Sequence, residues 1–175
     1  TEGIRVLVGC ECDILREGSM DYPDEILAEC DVVVASIHSR MGGSSTPGES
    51  PTDRILRAIQ NRYVTIIGHP TGRLLGKRPA MEIDMAEVAH AASETGTALE
   101  INSSWQRLDL KASHAQQAIE AGAMLTIDTD AHHTNNFSLM RYGVATARRA
   151  WAKADNVLNT RSYESLISWI AQKRR

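Results

Sequence analysis

Residues 98–130 read ALEINSSWQRLDLKASHAQQAIEAGAMLTIDTD, and they hold one complete structural unit. Ala98 to Asn102 is a short apolar run that ends in a polar residue, the pattern of a strand buried on both faces. Ser113 with Gln116 three positions on predicts a capping-box helix start, and Gly122 predicts its stop. Leu125 to Asp130 then returns as a second apolar run. A strand, a helix and a further strand of this length define a βα repeat with parallel strands.

The same unit recurs upstream. Strands are expected at Arg5 to Glu11, Val32 to His38 and Val64 to His69. Helices are expected at Asp24 to Glu29 and Thr52 to Gln60, and from Asp84, where Glu87 completes a capping box and Gly96 closes the segment. Two more should follow, around Met140 to Trp151 and from Ser162 to Gln172. No linker or low-complexity segment divides the chain, so residues 1–175 read as one α/β domain. The loop Gly42 to Pro51, rich in Gly, Ser, Thr and Pro, is expected to be the most mobile piece.

Residues able to bind metal fall at the strand ends: Glu11, His38, His69, Glu100 with Asn102, and Asp130 with His132. Their intervals of 27, 31, 31 and 30 residues match one βα unit each. In a parallel barrel those ends converge on one rim, where such enzymes carry their chemistry. Carboxylates mixed with imidazoles suit zinc, manganese or iron. Strand parity puts Glu11 and Asp13 on one face and Cys10 and Cys12 on the other, under the helices. By the same parity Asp130 and His132 share a face if the strand stays extended, which ranks His132 above His133 as a ligand.

Each of these residues has a plainer reading. Asp130 would serve as an N-cap, Glu100 as a buried acid paired to an arginine such as Arg107, and Asn102 as a loop-former. Three histidine or acid strand ends in register favour a shared metal site over three unrelated structural residues. His90 and His114 lie within helices and read as solvated. Trp105, Trp151 and Trp169 read as packing residues because no basic run interleaves with them, and Lys173-Arg174-Arg175 reads as a solvated tail.

Composition limits the alternatives. The 175 residues are 42% hydrophobic, enough for a core, and 19 basic against 22 acidic side chains leave a net charge of −3. No global field exists to hold a polyanion, so a nucleic acid would have to be gripped locally. Three cysteines without a CxxC pair read as buried thiols in a reducing compartment. With no membrane-length apolar run and no signal-peptide layout, a cytoplasmic location is expected. The opening Thr1-Glu2-Gly3 lacks an initiator methionine, as in a fragment of a longer protein. Walker A, GxGxxG, GxSxG and HExxH motifs do not occur in the chain.

Taken together, Gly9-Cys10-Glu11-Cys12-Asp13-Ile14-Leu15, Ala35-Ser36-Ile37-His38-Ser39, Gly68-His69-Pro70-Thr71-Gly72-Arg73, Leu99-Glu100-Ile101-Asn102 and Thr129-Asp130-Ala131-His132 resemble the polymerase and histidinol phosphatase (PHP) family. The likeness is strongest to the PHP domain at the C-terminus of bacterial family X DNA polymerases and to related stand-alone proteins. It implies a distorted seven-stranded (β/α) barrel with up to three divalent metal ions, in which a metal-bridging hydroxide attacks a phosphate ester. Position by position, Glu11 matches the bridging carboxylate, His38 and His69 match imidazole ligands, and Asp130 and His132 match the final ligand pair. Arg73 would meet the phosphate. The family's His-x-His on the first strand is missing from this sequence, which therefore corresponds to the C-terminal five βα units. An open barrel edge then calls for the missing N-terminal segment or another subunit.

The implied substrate is a DNA 3′ end, cut as exonuclease or 3′-phosphatase in DNA repair, with a small phosphomonoester such as histidinol phosphate as the alternative. A non-catalytic PHP module with an incomplete metal site is a second class. A zinc amidohydrolase is a third, disfavoured because none of Lys77, Lys111, Lys153 and Lys173 stands at a strand end to form a bridging carbamate.

Overall fold

The computed structural model describes residues 3–39, 41, 46 and 48–175. The expected mobile loop at Gly42 to Pro51 lies in part outside these residues. Five strands alternate with helices: β1 (Gly9–Asp13), α1 (Asp24–Glu29), β2 (Val32–Ser36), α2 (Pro51–Gln60), β3 (Ile66–Ile67), α3 (Met85–Thr95), β4 (Ala98–Asn102), α4 (Ala112–Glu120), β5 (Leu125–Asp128), α5 (Met140–Arg149) and α6 (Tyr163–Lys173). All neighbouring strands pair in parallel, in the order β1-β2-β3-β4-β5. This is the α/β architecture expected, and it matches part of a (β/α) barrel whose sheet is not closed. No described helix is long and apolar enough to cross a membrane.

The register explains the two faces. Cys12, Ala35, Ile67, Leu99 and Leu125 are partners across all five strands, and each is at most 1% exposed. They form the core with Leu27, Ile55, Ile59, Val88, Ala92 and Ala115 from the covering helices. The alternate row, Glu11, Val34, Ile66 and Ala98, faces the barrel interior, and Glu100 with Thr126 and Asn102 with Asp128 continue it toward the rim. The base of that inner face meets α6: Val32, Ile66 and Thr126 line a cavity of about 150 Å³ with Leu166, Trp169 and Ile170.

The caps show which local signals prevailed. Asp84 accepts from the Glu87 amide at 3.0 Å, and Gly96 ends α3 in the left-handed conformation with φ 67°. Ser50 and Asp53 form a full capping box on α2. The box predicted at Ser113 does not form, because the helix begins a residue earlier and Lys111 occupies the N-cap without a side-chain bond. Gly122, at φ 84° just beyond α4, does act as the stop.

Four further expectations are corrected. The first strand begins at Gly9 rather than Arg5 and runs on to Asp13, since a strand needs a partner and β2 offers one only there; Ile4, Val6 and Val8 stand 78%, 86% and 64% exposed. Of the cysteines only Cys12 is fully buried; Cys10 and Cys30 are half-buried. Trp105 and Trp151 are not packing residues, at 59% and 80% exposure. The terminal basic residues are not merely solvated, because Lys173 Nζ donates to the Ile59 carbonyl at 2.7 Å and Arg174 donates to Cys30 and Asp31 carbonyls, tying α6 to the base of the sheet.

Candidate metal centre

Three strand ends build one cluster. Glu11 projects from β1, His38 stands just past β2 and His69 just past β3. Glu11 Oε1 lies 3.1 Å from His38 Nε2 and 3.0 Å from His69 Nε2, and the two rings meet edge to face with centroids 5.1 Å apart. One ligand atom from each residue falls within 4.8 Å of the others, the only such acid, histidine or cysteine cluster found among the described residues. The His69 side chain is 2% exposed, whereas Glu11 and His38 remain 37% and 40% exposed. The site is thus walled on one side and open to solvent on the other, the form of a metal site with a free position.

The fold holds these side chains through a layer of carboxylates. Asp13, two residues after Glu11 on the same strand face, places Oδ1 2.5 Å from His38 Nδ1 and leaves Nε2 aimed at Glu11. The backbone of His69 sits at φ 25°, a conformation seldom adopted by a residue with a Cβ. Its amide donates to the Glu100 carboxylate, which pins that turn. Gly68 before it is required by packing, since a Cβ there would lie 2.5 Å from Ser36 Oγ and 2.7 Å from Val34 Cγ1. Arg54 is 2% exposed and donates to carbonyls of Leu15, Ile14 and Ser39, joining the loops that follow β1 and β2.

Electrostatics follow from this geometry. Hydrogen bonds from His38 and then His69 hold the Glu11 carboxyl far below the usual carboxylate range. The same contact with Glu11 raises the His38 imidazole against its partial burial. A divalent ion fits this donor set because it takes the place of the proton that now joins carboxylate and imidazoles. His69 Nδ1 is buried without a partner, so only its Nε2 side is engaged. Glu100 lies beneath, wholly enclosed. Burial, with Asp128 beside it, pushes its carboxyl well above the usual range.

The other predicted ligands stay apart from this trio. The strand ends at Asp128, and Asp130 turns to φ 49°, so the shared extended face expected for Asp130 and His132 does not exist. Asp130 Oδ2 accepts from Asn102 Nδ2 at 3.3 Å and lies 3.7 Å from Arg107 Nε. The arginine expected beside Glu100 is therefore beside Asp130 instead. His132 is 83% exposed and its Nδ1 faces the Asp130 carbonyl at 2.8 Å. His133, not Asp130, caps the following short helix. Arg73 sends Nε to the Arg107 carbonyl at 2.8 Å and one Nη to Leu108, so its fork braces a loop. Two participants escaped the sequence reading: Asp13 as the orienting partner of His38, which parity with Glu11 signals, and Asp128 against Glu100, which its in-phase position before Asp130 signals.

A parallel βα sheet with a Glu-His-His cluster at its strand ends defines part of a (β/α) barrel with a candidate metal site at that rim. No family model matches the chain. It is 43% identical over 169 residues to the DNA polymerase/3'-5' exonuclease PolX of Bacillus subtilis (strain 168), covering 97% of this chain and 29% of that protein. It is 33% identical over 181 residues to a probable phosphatase of Thermoanaerobacter sp. (strain X514), covering 99% of this chain and 71% of the relative. A probable phosphatase of Shewanella sp. (strain MR-4) is 32% identical over 179 residues, with coverages of 98% and 68%. The chain thus spans under a third of the polymerase and about two thirds of the phosphatases. It belongs to the PHP family that its linked strand-end motifs resemble.

Proposed function

We propose that the chain is the C-terminal five-unit portion of a PHP metal-dependent phosphoesterase. The observation that carries this is the single Glu11 oxygen reached by two imidazoles at 3.0 and 3.1 Å. An ion held by Glu11, His38 and His69 would supply Lewis acidity toward a phosphoryl oxygen and a water of lowered pKa. Around it the chain's own groups act: Asp13 fixes His38, the Glu100 carboxylate fixes His69, and Arg107 with Arg73 supplies positive charge. Asp130 and His132 are the further ligand pair in this reading. The likeness to an enzyme named as a 3'-5' exonuclease supports a DNA 3′ end as substrate, and with it a cytoplasmic DNA-repair role. The relatives named probable phosphatases support the alternative, a small phosphomonoester.

Metal titration tests the reading. Zinc or manganese is expected to bind in a one-to-one complex and raise the melting temperature, and Glu11→Gln should abolish the rise. In phosphatase and exonuclease assays Glu11→Gln should lose more activity than Arg73→Ala, which removes one charge-assisted contact worth a few kcal/mol at most, about a hundredfold. A chain that takes up no metal would instead be a non-catalytic module. A fully active Glu11→Gln protein would place the metal centre elsewhere.

A further inference from the structure

The loops after β3 and β4 are locked together above the candidate site. Thr71 donates its amide and hydroxyl to the buried Asp109 carboxylate at 3.0 and 2.9 Å. Arg78 donates to the Gly72 carbonyl at 2.9 and 2.6 Å, and the Leu75 amide donates to the Gln106 carbonyl at 2.7 Å. This last bond sets Leu75 beside the residue that follows Trp105. Both side chains are turned outward, 46% and 59% exposed. Such a rigid, solvent-facing apolar pair has no packing role in this fold.

Its surroundings are rich in basic residues, although one of them, Arg107, faces Asp130. Residues 71–80 contain Arg73, Lys77 and Arg78 and no acid. Arg107 and Lys111 follow on the neighbouring loop, where the one acid, Asp109, is buried and hydrogen-bonded. A shallow depression of about 490 Å³ runs along Arg73, Leu74, Leu75, Lys77 and Arg78. Although the chain as a whole carries −3, the 71–80 loop is locally cationic and matches a phosphodiester strand. Trp105 stands three residues past the end of β4, within about 10 Å of the rim by chain length. An aromatic face beside a basic groove is the arrangement that binds single-stranded nucleic acid, the cations tracking the backbone and the ring stacking on a base.

We propose that Trp105, on the loop bonded to Leu75, is a nucleobase-stacking subsite of the candidate centre, and that the Arg73–Arg78 loop holds the adjoining phosphodiester. The proposal rests on the phosphoesterase reading above. It narrows the substrate to single-stranded nucleic-acid ends over small phosphomonoesters. Trp105→Phe should conserve the subsite, and Trp105→Ala, at so exposed a position, should remove it without emptying the core.

The test is binding in chelator, where metal-assisted cleavage cannot interfere. Anisotropy of a short fluorescein-labelled oligothymidylate is compared with an abasic oligonucleotide of equal length. Wild-type protein should prefer the base-bearing strand by about fivefold to a hundredfold, the range of one stacked base. Trp105→Ala should lose that preference, Trp105→Phe should keep most of it, and Lys77→Ala should weaken both probes alike. Equal affinity of the wild type for the two probes, or an unchanged preference in Trp105→Ala at unaltered melting temperature, overturns the proposal and marks the patch as a protein contact. Hydrolysis of the oligothymidylate with zinc or manganese is scored separately. Hydrolysis without base preference rejects the subsite alone, whereas base preference without any hydrolysis rejects the phosphoesterase reading and leaves a strand-binding surface.

Discussion

Glu11 and the two imidazoles beside it show how few side chains the candidate chemistry requires and how many others hold them. Asp13 is the clearest of the holders, because its 2.5 Å contact with His38 Nδ1 decides which ring nitrogen is left for a metal. Carboxylates behind ligating histidines typically contribute tenfold to a hundredfold in metal affinity. Asp13→Asn is therefore expected to weaken zinc binding by about that factor while Glu11, His38 and His69 stay in place. Isothermal titration with zinc measures it, and unchanged affinity would mean that Asp13 is only a surface partner. The cysteines near this strand play no such part. Burial, first among the causes, pushes Cys10 up to about 11 and Cys12 up to about 12, so neither offers a thiolate ligand near neutral pH.

Among the elements, α4 departs most from its sequence reading. His114 was expected to be solvated, yet it is half-buried, and its Nδ1 has no partner. Burial, with Lys111 and Arg73 adding like charge, lowers its pKa from 6.5 to about 4. The unfolded chain thus takes up a proton that the folded chain refuses, so acidification from 6.5 toward 4 removes stability and further acidification removes no more from this source. Water reaches about half the ring, which limits the effect to the order of 1 kcal/mol. Chemical denaturation of wild type and His114→Gln across this pH range is the check. The variant should lack that part of the acid loss, and parallel pH profiles would assign it to other groups.

For the molecule as a whole the open edge matters most. Among the described residues β1 pairs only with β2, and the segment before it presents Ile4, Val6 and Val8 to solvent. An unpaired parallel edge with an apolar face invites another strand. The expected outcome is self-association of the chain across that edge. Sedimentation should show concentration-dependent association that Val6→Lys and Val8→Lys reduce. A monodisperse monomer at high concentration would refute it.

Sequence alone determined the alternation of strands and helices, the parallel sheet and the candidacy of Glu11, His38 and His69, which the fold brings together. Those features rest on periodicity, on Gly96 and Gly122 as stops, and on polar residues spaced one βα unit apart, all of which are local or repeat with a fixed step. Tertiary structure alone decided where β1 begins, because pairing depends on which residues of β2 are within reach. It also decided that Arg107 faces Asp130 rather than Glu100 and that Trp105 points outward. Those outcomes depend on how two loops after different strands dock on each other, and contacts between segments some thirty residues apart leave no period in the sequence to read.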